Sequence, residues 1–227
     1  MDLVTEQKLE RRERILEAAR QLIAEHGYDG LTMRDLASHC RVSVPTLYNQ
    51  FGSKGALLTY AVEAHFGGLL SRAHTQRAHG VRRLVGVVDV CTEEMLRIPR
   101  YYRSLMSAFL GTAETVPLQA TLARELSTAI GETLAEMQQR EQLEAWASPA
   151  VLARQITAAC IASCIVWSLG GLDDRSLRAA MVHAATAMTL GAASGSTRGA
   201  LEREVRKAQA ILEQSTAAVE SDEESTG

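Results

Sequence analysis

Aromatic side chains make up only 4% of the 227 residues, and prolines number four. Runs in which Val, Ile, Thr and Tyr alternate with polar residues, the mark of half-buried strands, are hard to find. Ala and Leu are plentiful instead. The chain is therefore predicted to be all-α, with helices packed closely on small side chains. Positive charge is not in excess either. A net charge of −3 gives no whole-chain sign of a nucleic-acid partner, although a protein that touches DNA with one end need not be basic throughout. The four cysteines, Cys40, Cys91, Cys160 and Cys164, form no C-x-x-C pair and no His–Cys zinc spacing. No metal and no cofactor is expected. Cys160 and Cys164 stand one helical turn apart in an apolar run and read as small core residues, with a thiol sensor as the sharper alternative.

Motifs of catalysis are missing as well. There is no G-x-S-x-G, no phosphate-binding G-x-x-x-x-G-K, no H-E-x-x-H and no G-x-G-x-x-G. A small helical enzyme is thus a remote alternative. The N-terminal M-D-L-V-T-E-Q-K-L-E-R-R lacks the apolar core of a signal peptide. The longest apolar stretch, Ala158 to Leu169, is shorter than the roughly 20 residues that span a bilayer. No membrane association is expected, and the protein is expected to be cytoplasmic.

What is present centres on Thr32 to Lys54. Met33, Leu36, Ala37 and Cys40 fall at i, i+3, i+4 and i+7, one apolar stripe of a helix. Thr32 precedes the stripe as an N-cap, and Asp35 three residues on completes a shortened capping box. Arg41-Val42-Ser43 breaks the pattern, and Ser43 caps a second helix whose inward residues are Val44, Leu47 and Phe51. Pro45 is tolerated there because first-turn N–H groups have no intrahelical partner. Thr46, Tyr48, Asn49 and Gln50 are left outward, hydroxyls and amides suited to phosphates and base edges. This is the pattern of a helix-turn-helix presenting a recognition helix to double-stranded DNA.

The remainder divides into helices. The first is predicted over Thr5 to His26 and closes on Gly27, with its charges roughly balanced. Ser53 caps a fourth that runs to about His74. Further helices follow over 81–98 and 101–110, separated by Pro99, then over 118 to about 144, 149–170 and 173 to about 193. A last one covers 200–214. The DNA-binding domain is assigned to 1–52 and a second helical domain to 53–214, with helix 53–74 connecting the two. Residues 215–227 are expected to form a frayed acidic tail.

R-I-L-E-A-A-R-Q-L-I-A-E-H-G-Y-D-G-L-T-M-R-D-L-A followed by V-S-V-P-T-L-Y-N-Q-F-G-S-K-G-A-L-L resembles the DNA-binding domain of TetR-type transcription regulators. The resemblance runs without gaps from about Arg14 to Leu58. It implies that Thr32 and Arg34 hold phosphates, and that Val44, Pro45 and Thr46 enter the major groove beside their cap Ser43. It further implies that Tyr48 touches the backbone and Lys54 clamps a phosphate. Two departures stand out. Arg41 occupies a turn position where the family usually has Gly, which implies a positive φ and allows its guanidinium to reach a phosphate. Asn49-Gln50 stands where an aromatic and a His are favoured. These amides either pair bidentately with adenine or contact phosphates.

The resemblance also implies a homodimer on a palindromic operator and a small-molecule effector that releases it, and hence that the second domain, 53–214, is regulatory and dimerising. Helices 149–170 and 173–193 are the candidate dimer face, with packing inside one subunit as the other option from pattern alone. Bulky side chains that could line an effector pocket are Met95, Tyr102, Met106, Phe109, Met137 and Trp167, each of which also fits plain core. A regulator of the same fold without an effector is the alternative.

Overall fold

In a computed structural model, residues 3–75, 78–108 and 115–224 are described. Among them are ten helices and no strand, as the scarcity of alternating runs predicts. They are α1 (Leu3–Gly30), α2 (Met33–Cys40), α3 (Val44–Phe51), α4 (Lys54–Thr75), α5 (Val81–Arg97), α6 (Pro99–Ala108), α7 (Val116–Gln139), α8 (Pro149–Ser168), α9 (Asp174–Leu190) and α10 (Thr197–Glu224). Two compact units form, one from residues 1–67 and 98–122, the other from 68–97 and 123–227.

The first unit is built on α1. Helical geometry breaks at Gly27, with φ 78° and ψ 170°, a conformation that glycine adopts without a Cβ penalty. Ile15, Ala19 and Ile23 of α1, Leu36 of α2, Leu47 of α3 and Leu57 and Leu58 of α4 are almost entirely buried. Burying a Leu or Ile side chain contributes about 1.5–3 kcal/mol, so the short α2 and α3 are held by packing more than by propensity. α6 packs against α1, and Tyr101 on α6 is 2% exposed. Burial pushes its phenol up to about 12.

In the second unit α9 is central, touching α5, α8 and α10. Trp167 of α8 is fully buried and donates its indole N–H to Asp174 Oδ1 at 2.8 Å. Arg178 of α9 pairs with Asp89 of α5 at 2.7 Å. An isolated bridge between Leu143 and Ala193, with Glu144 N–H donating to Ala192 O at 2.8 Å, ties the α7–α8 loop to the α9–α10 loop.

Two helix ends differ from the sequence expectation. α7 stops at Gln139 and not near Glu144, because Glu141 turns left-handed (φ 56°) and Gln142 N–H reaches back to Met137 O at 2.9 Å. α10 runs to Glu224 rather than ending at Gln214. Residues 200–224 contain no Gly or Pro to stop it, so a helix includes most of the stretch expected to fray.

Candidate nucleic-acid interface

The turn between α2 and α3 sets the angle of α3. Thr32 adopts extended backbone (φ −112°, ψ 151°), and its hydroxyl accepts from Asp35 N–H at 3.1 Å. The same hydroxyl donates to Asp35 Oδ2 at 2.5 Å, so the capping pair is closed on itself. At the other end Arg41 N–H donates to Ser38 O at 3.2 Å and Val42 N–H to Ala37 O at 3.0 Å. That pairing is a Schellman cap, which needs a left-handed residue in the position Arg41 holds. Arg41 indeed has φ 54° and ψ 44°. The strain expected from its replacing Gly is present in the backbone.

Ser43 starts α3 by accepting from Thr46 N–H at 3.2 Å, with the two hydroxyls 2.7 Å apart. Pro45 lies in the first turn, where it displaces no hydrogen bond. Leu47 and Phe51 are buried, Val44 half-buried. Pro45, Tyr48 and Asn49 are exposed, Tyr48 by 49%, and Thr46 and Gln50 are half-buried at the edge of the same face. Arg34 is exposed in the first turn of α2. The next helix begins when Ser53 Oγ accepts from Ala56 N–H at 3.0 Å. Lys54 Nζ sits 4.1 Å from the centroid of the Tyr28 ring, a cation–π contact that holds the ammonium at the N-terminus of α4.

The structure also brings forward side chains that a balance of charges along α1 hides. A cleft of about 600 Å³ separates the start of α1 from α3. On its α1 side are Lys8, Arg11 and Arg12, and on its α3 side Thr46, Asn49 and Gln50. Arg12 is fixed over the Tyr60 ring at 4.3 Å and the Phe51 ring at 5.7 Å. The acids of α1 lie elsewhere: Glu10, Glu13 and Glu17 line a second cleft of about 810 Å³ together with His39, Cys40 and Arg41. Helical periodicity carries the signal, since Lys8, Arg11 and Arg12 fall at i, i+3 and i+4 while the glutamates fall at i, i+3 and i+7 on another face. Arg41 thus stands beside the acidic face of α1. Partial burial raises the Cys40 thiol above its usual range, against the nearby Arg14 charge.

The candidate effector residues are divided between the units. Tyr102 and Met106 are buried in the first and Met95, Met137 and Trp167 in the second, while Phe109 lies outside the described residues. Among the described residues no three His, Cys, Asp or Glu side chains converge to hold a metal.

Comparison with known proteins gives this geometry a context. Residues 15–61 match the family model for bacterial regulatory proteins of the tetR family. The HTH-type transcriptional repressor KstR of Rhodococcus jostii is 33% identical over 110 residues, covering 48% of this chain and 52% of that protein. The Mycobacterium tuberculosis repressor of the same name is 30% identical over 112 residues, 48% of this chain and 51% of that one. The chain therefore spans about half the length of the curated relatives it matches. Among solved structures, the Thermus thermophilus TetR-family repressor FadR in complex with lauroyl-CoA has a TM-score of 0.66 at 22% identity, over 79% of this chain and 94% of that one. At that identity the likeness is one of fold.

Proposed function

We propose that this chain, whose residues 15–61 match the family model for bacterial regulatory proteins of the tetR family, is a DNA-binding transcriptional repressor of that type acting as a homodimer on a palindromic operator. The observation that carries this reading is the outward face of α3, polar and accessible on a helix whose angle is fixed by a Schellman cap and two side-chain caps. Thr46, Asn49 and Gln50 address base edges, Tyr48, Arg34 and Lys54 address phosphates, and Lys8 and Arg11 add charge beside them. The Val44–Pro45 end of α3 enters the groove first.

The dimer reading rests on α8. Eighteen consecutive residues of it have a mean hydropathy of 1.6 and are only one-third buried. Val151, Ala158, Ala162 and Val166 form an exposed apolar stripe at helical spacing, interrupted by the exposed Arg154 and Gln155 and continued just past the helix end by Leu169, and Met188 of α9 is 38% exposed. Length and composition alone would suit a bilayer as well. The other face of α8 packs on α9 and buries Trp167, so a second copy is the partner that fits. Two recognition helices joined this way meet half-sites about one DNA turn, ~34 Å, apart.

Release follows if a small-molecule effector and the operator favour different spacings of the two recognition helices; without that difference a ligand shifts nothing. Acyl-CoA thioesters, the ligand class of the Thermus thermophilus structure, are the first to screen for a raised melting temperature and weakened operator binding.

The test of the DNA face is titration, at fixed salt, of a palindromic operator selected from random-sequence DNA. Thr46→Ala and Lys54→Ala are each expected to weaken binding by about 1–3 kcal/mol. Binding unchanged by both would remove this face from the reading.

A further inference from the structure

The core of the second unit gathers sulfur. Cys164 on α8 lies between two thioethers, its Sγ 3.8 Å from Met95 Sδ of α5 and 3.7 Å from Met181 Sδ of α9. Met181, Met95 and Cys164 are 1%, 4% and 6% exposed. Two more buried thiols lie on the same helices: Cys160 of α8, its Sγ 3.9 Å from Met181 O, and Cys91 of α5. Burial keeps these thiols protonated, with Cys91 and Cys164 pushed up to about 12. Nothing in DNA recognition uses them.

We propose that Cys164, Met95 and Met181 form a trigonal site for a soft monovalent metal ion of the Cu(I) or Ag(I) class. Geometry is the first support. Metal–sulfur bonds of about 2.3 Å in a trigonal plane place the sulfurs about 4 Å apart, and the two separations from Cys164 are already within a few tenths of an ångström of that. Charge is the second. One thiolate with one monovalent ion is neutral, and the two thioethers add no charge, so an apolar core holds the complex at no net charge; a divalent ion would leave a buried positive charge uncompensated. Softness is the third, because thioethers bind Cu(I)-like ions and leave zinc and magnesium to nitrogen, oxygen and thiolate donors.

Binding forms one metal–sulfur bond to Cys164 and releases its thiol proton to solvent, with no change in oxidation state. The donors come from three helices of one chain, so the site needs no partner. It stands independently of the DNA-binding reading.

The experiment is anaerobic competition for Cu(I) held by the chromogenic chelator bicinchoninate, using full-length protein in a Cys40→Ser background that removes the half-exposed thiol. One equivalent of Cu(I) per chain is expected to pass to the protein. Cys164→Ala should abolish the transfer. Met95→Leu and Met181→Leu, swaps that conserve core volume, should each weaken binding at least tenfold while circular dichroism stays helical. Because one proton leaves per ion, affinity should rise about tenfold per pH unit below the thiol's own titration. Transfer equal to that of Cys164→Ala, or leucine variants that bind as tightly as the parent, would overturn the site. Should Cys164→Ala fail to fold, the two leucine variants and the pH slope decide the matter.

Discussion

Two helix pairs in this chain begin with the same devices and end as opposites. α2 and α3 start on Thr32 and Ser43, α8 and α9 on Ser148 and Asp173, and each of the four side chains accepts from the N–H three residues on. Both pairs carry a proline in a first turn, Pro45 and Pro149. Their outward faces then diverge. α3 shows solvent a hydroxyl, a phenol and two amides, whereas α8 shows it Val151 and Val166, with Leu169 exposed just past its end. Caps decide where a helix begins, and the side chains left facing water decide what it meets. A polar face on a short, rigid turn suits nucleic acid; an apolar stripe at 3.6-residue spacing suits another helix.

The largest effect is expected from making the second face resemble the first. Val166→Asp combined with Leu169→Asp puts two charges on the stripe of α8 without touching the buried side. Sedimentation should then report a monomer, and operator affinity should fall by about 100-fold or more, because one recognition helix loses the effective concentration supplied by its twin. Circular dichroism should stay unchanged. A dimer that survives both aspartates would move the interface elsewhere.

A smaller effect tests the edge of the proposed DNA face. Lys8→Ala with Arg11→Ala removes two cations from the cleft beside Asn49 and Gln50. For every phosphate that is no longer neutralised, the slope of log affinity against log salt should fall by about 1. The weakening should be uniform across operator variants, since these residues carry charge and not base readout. An unchanged salt slope would leave the cleft without a role in binding.

How much of this was legible depends on whether the information is local. Thr32, Ser43 and Gly27 announce helix ends within a few residues, and the left-handed geometry of Arg41 follows from its place in the turn. The basic side of α1 was in reach but hidden by summing charges, since Lys8 and Arg11 cancel against Glu10 and Glu13 in a total yet not on a helical surface. The α8 stripe was only half legible. A helix apolar all round says that it is buried, but which of its faces meets its own chain is fixed by α9 and Trp167, far along the fold. The end of α7 was not legible, because it depends on a left-handed Glu141 that the α9–α10 loop helps to hold.

The caps themselves offer a test with a pH signature. Asp173 is held below the usual carboxylate range, first by the Ser176 backbone N–H, which donates to Oδ1 at 2.6 Å. A carboxylate whose folded-state value is lowered contributes stability that is complete above its ordinary value of 3.8. That contribution is lost as pH falls through the folded value. Asp173→Ala should cost about 1 kcal/mol at neutral pH, a drop of about 2–4 °C in melting temperature for a chain of this size. Acid unfolding curves of the two proteins should converge below that range. Curves that remain parallel would mean that the cap acts through something other than its charge.

The smallest expected effect separates fold from function at one residue of the turn between α2 and α3. Arg41 holds a left-handed backbone with a Cβ that crowds the following carbonyl, a cost of about 1–2 kcal/mol, partly offset by the greater unfolded-state freedom of glycine. Arg41→Gly should therefore raise stability by about 0.5–1 kcal/mol in chemical denaturation. Operator affinity should move the other way, by a few-fold. If the guanidinium clamps a phosphate, glycine leaves that phosphate unclamped; if it faces Glu10, Glu13 and Glu17 across their cleft, its removal leaves those acids uncompensated near the DNA. Either route makes the interface more negative by one charge per subunit. Opposite signs in the two measurements would establish that the arginine is kept for binding at the expense of the turn, whereas a gain in both would make it an accident of the fold.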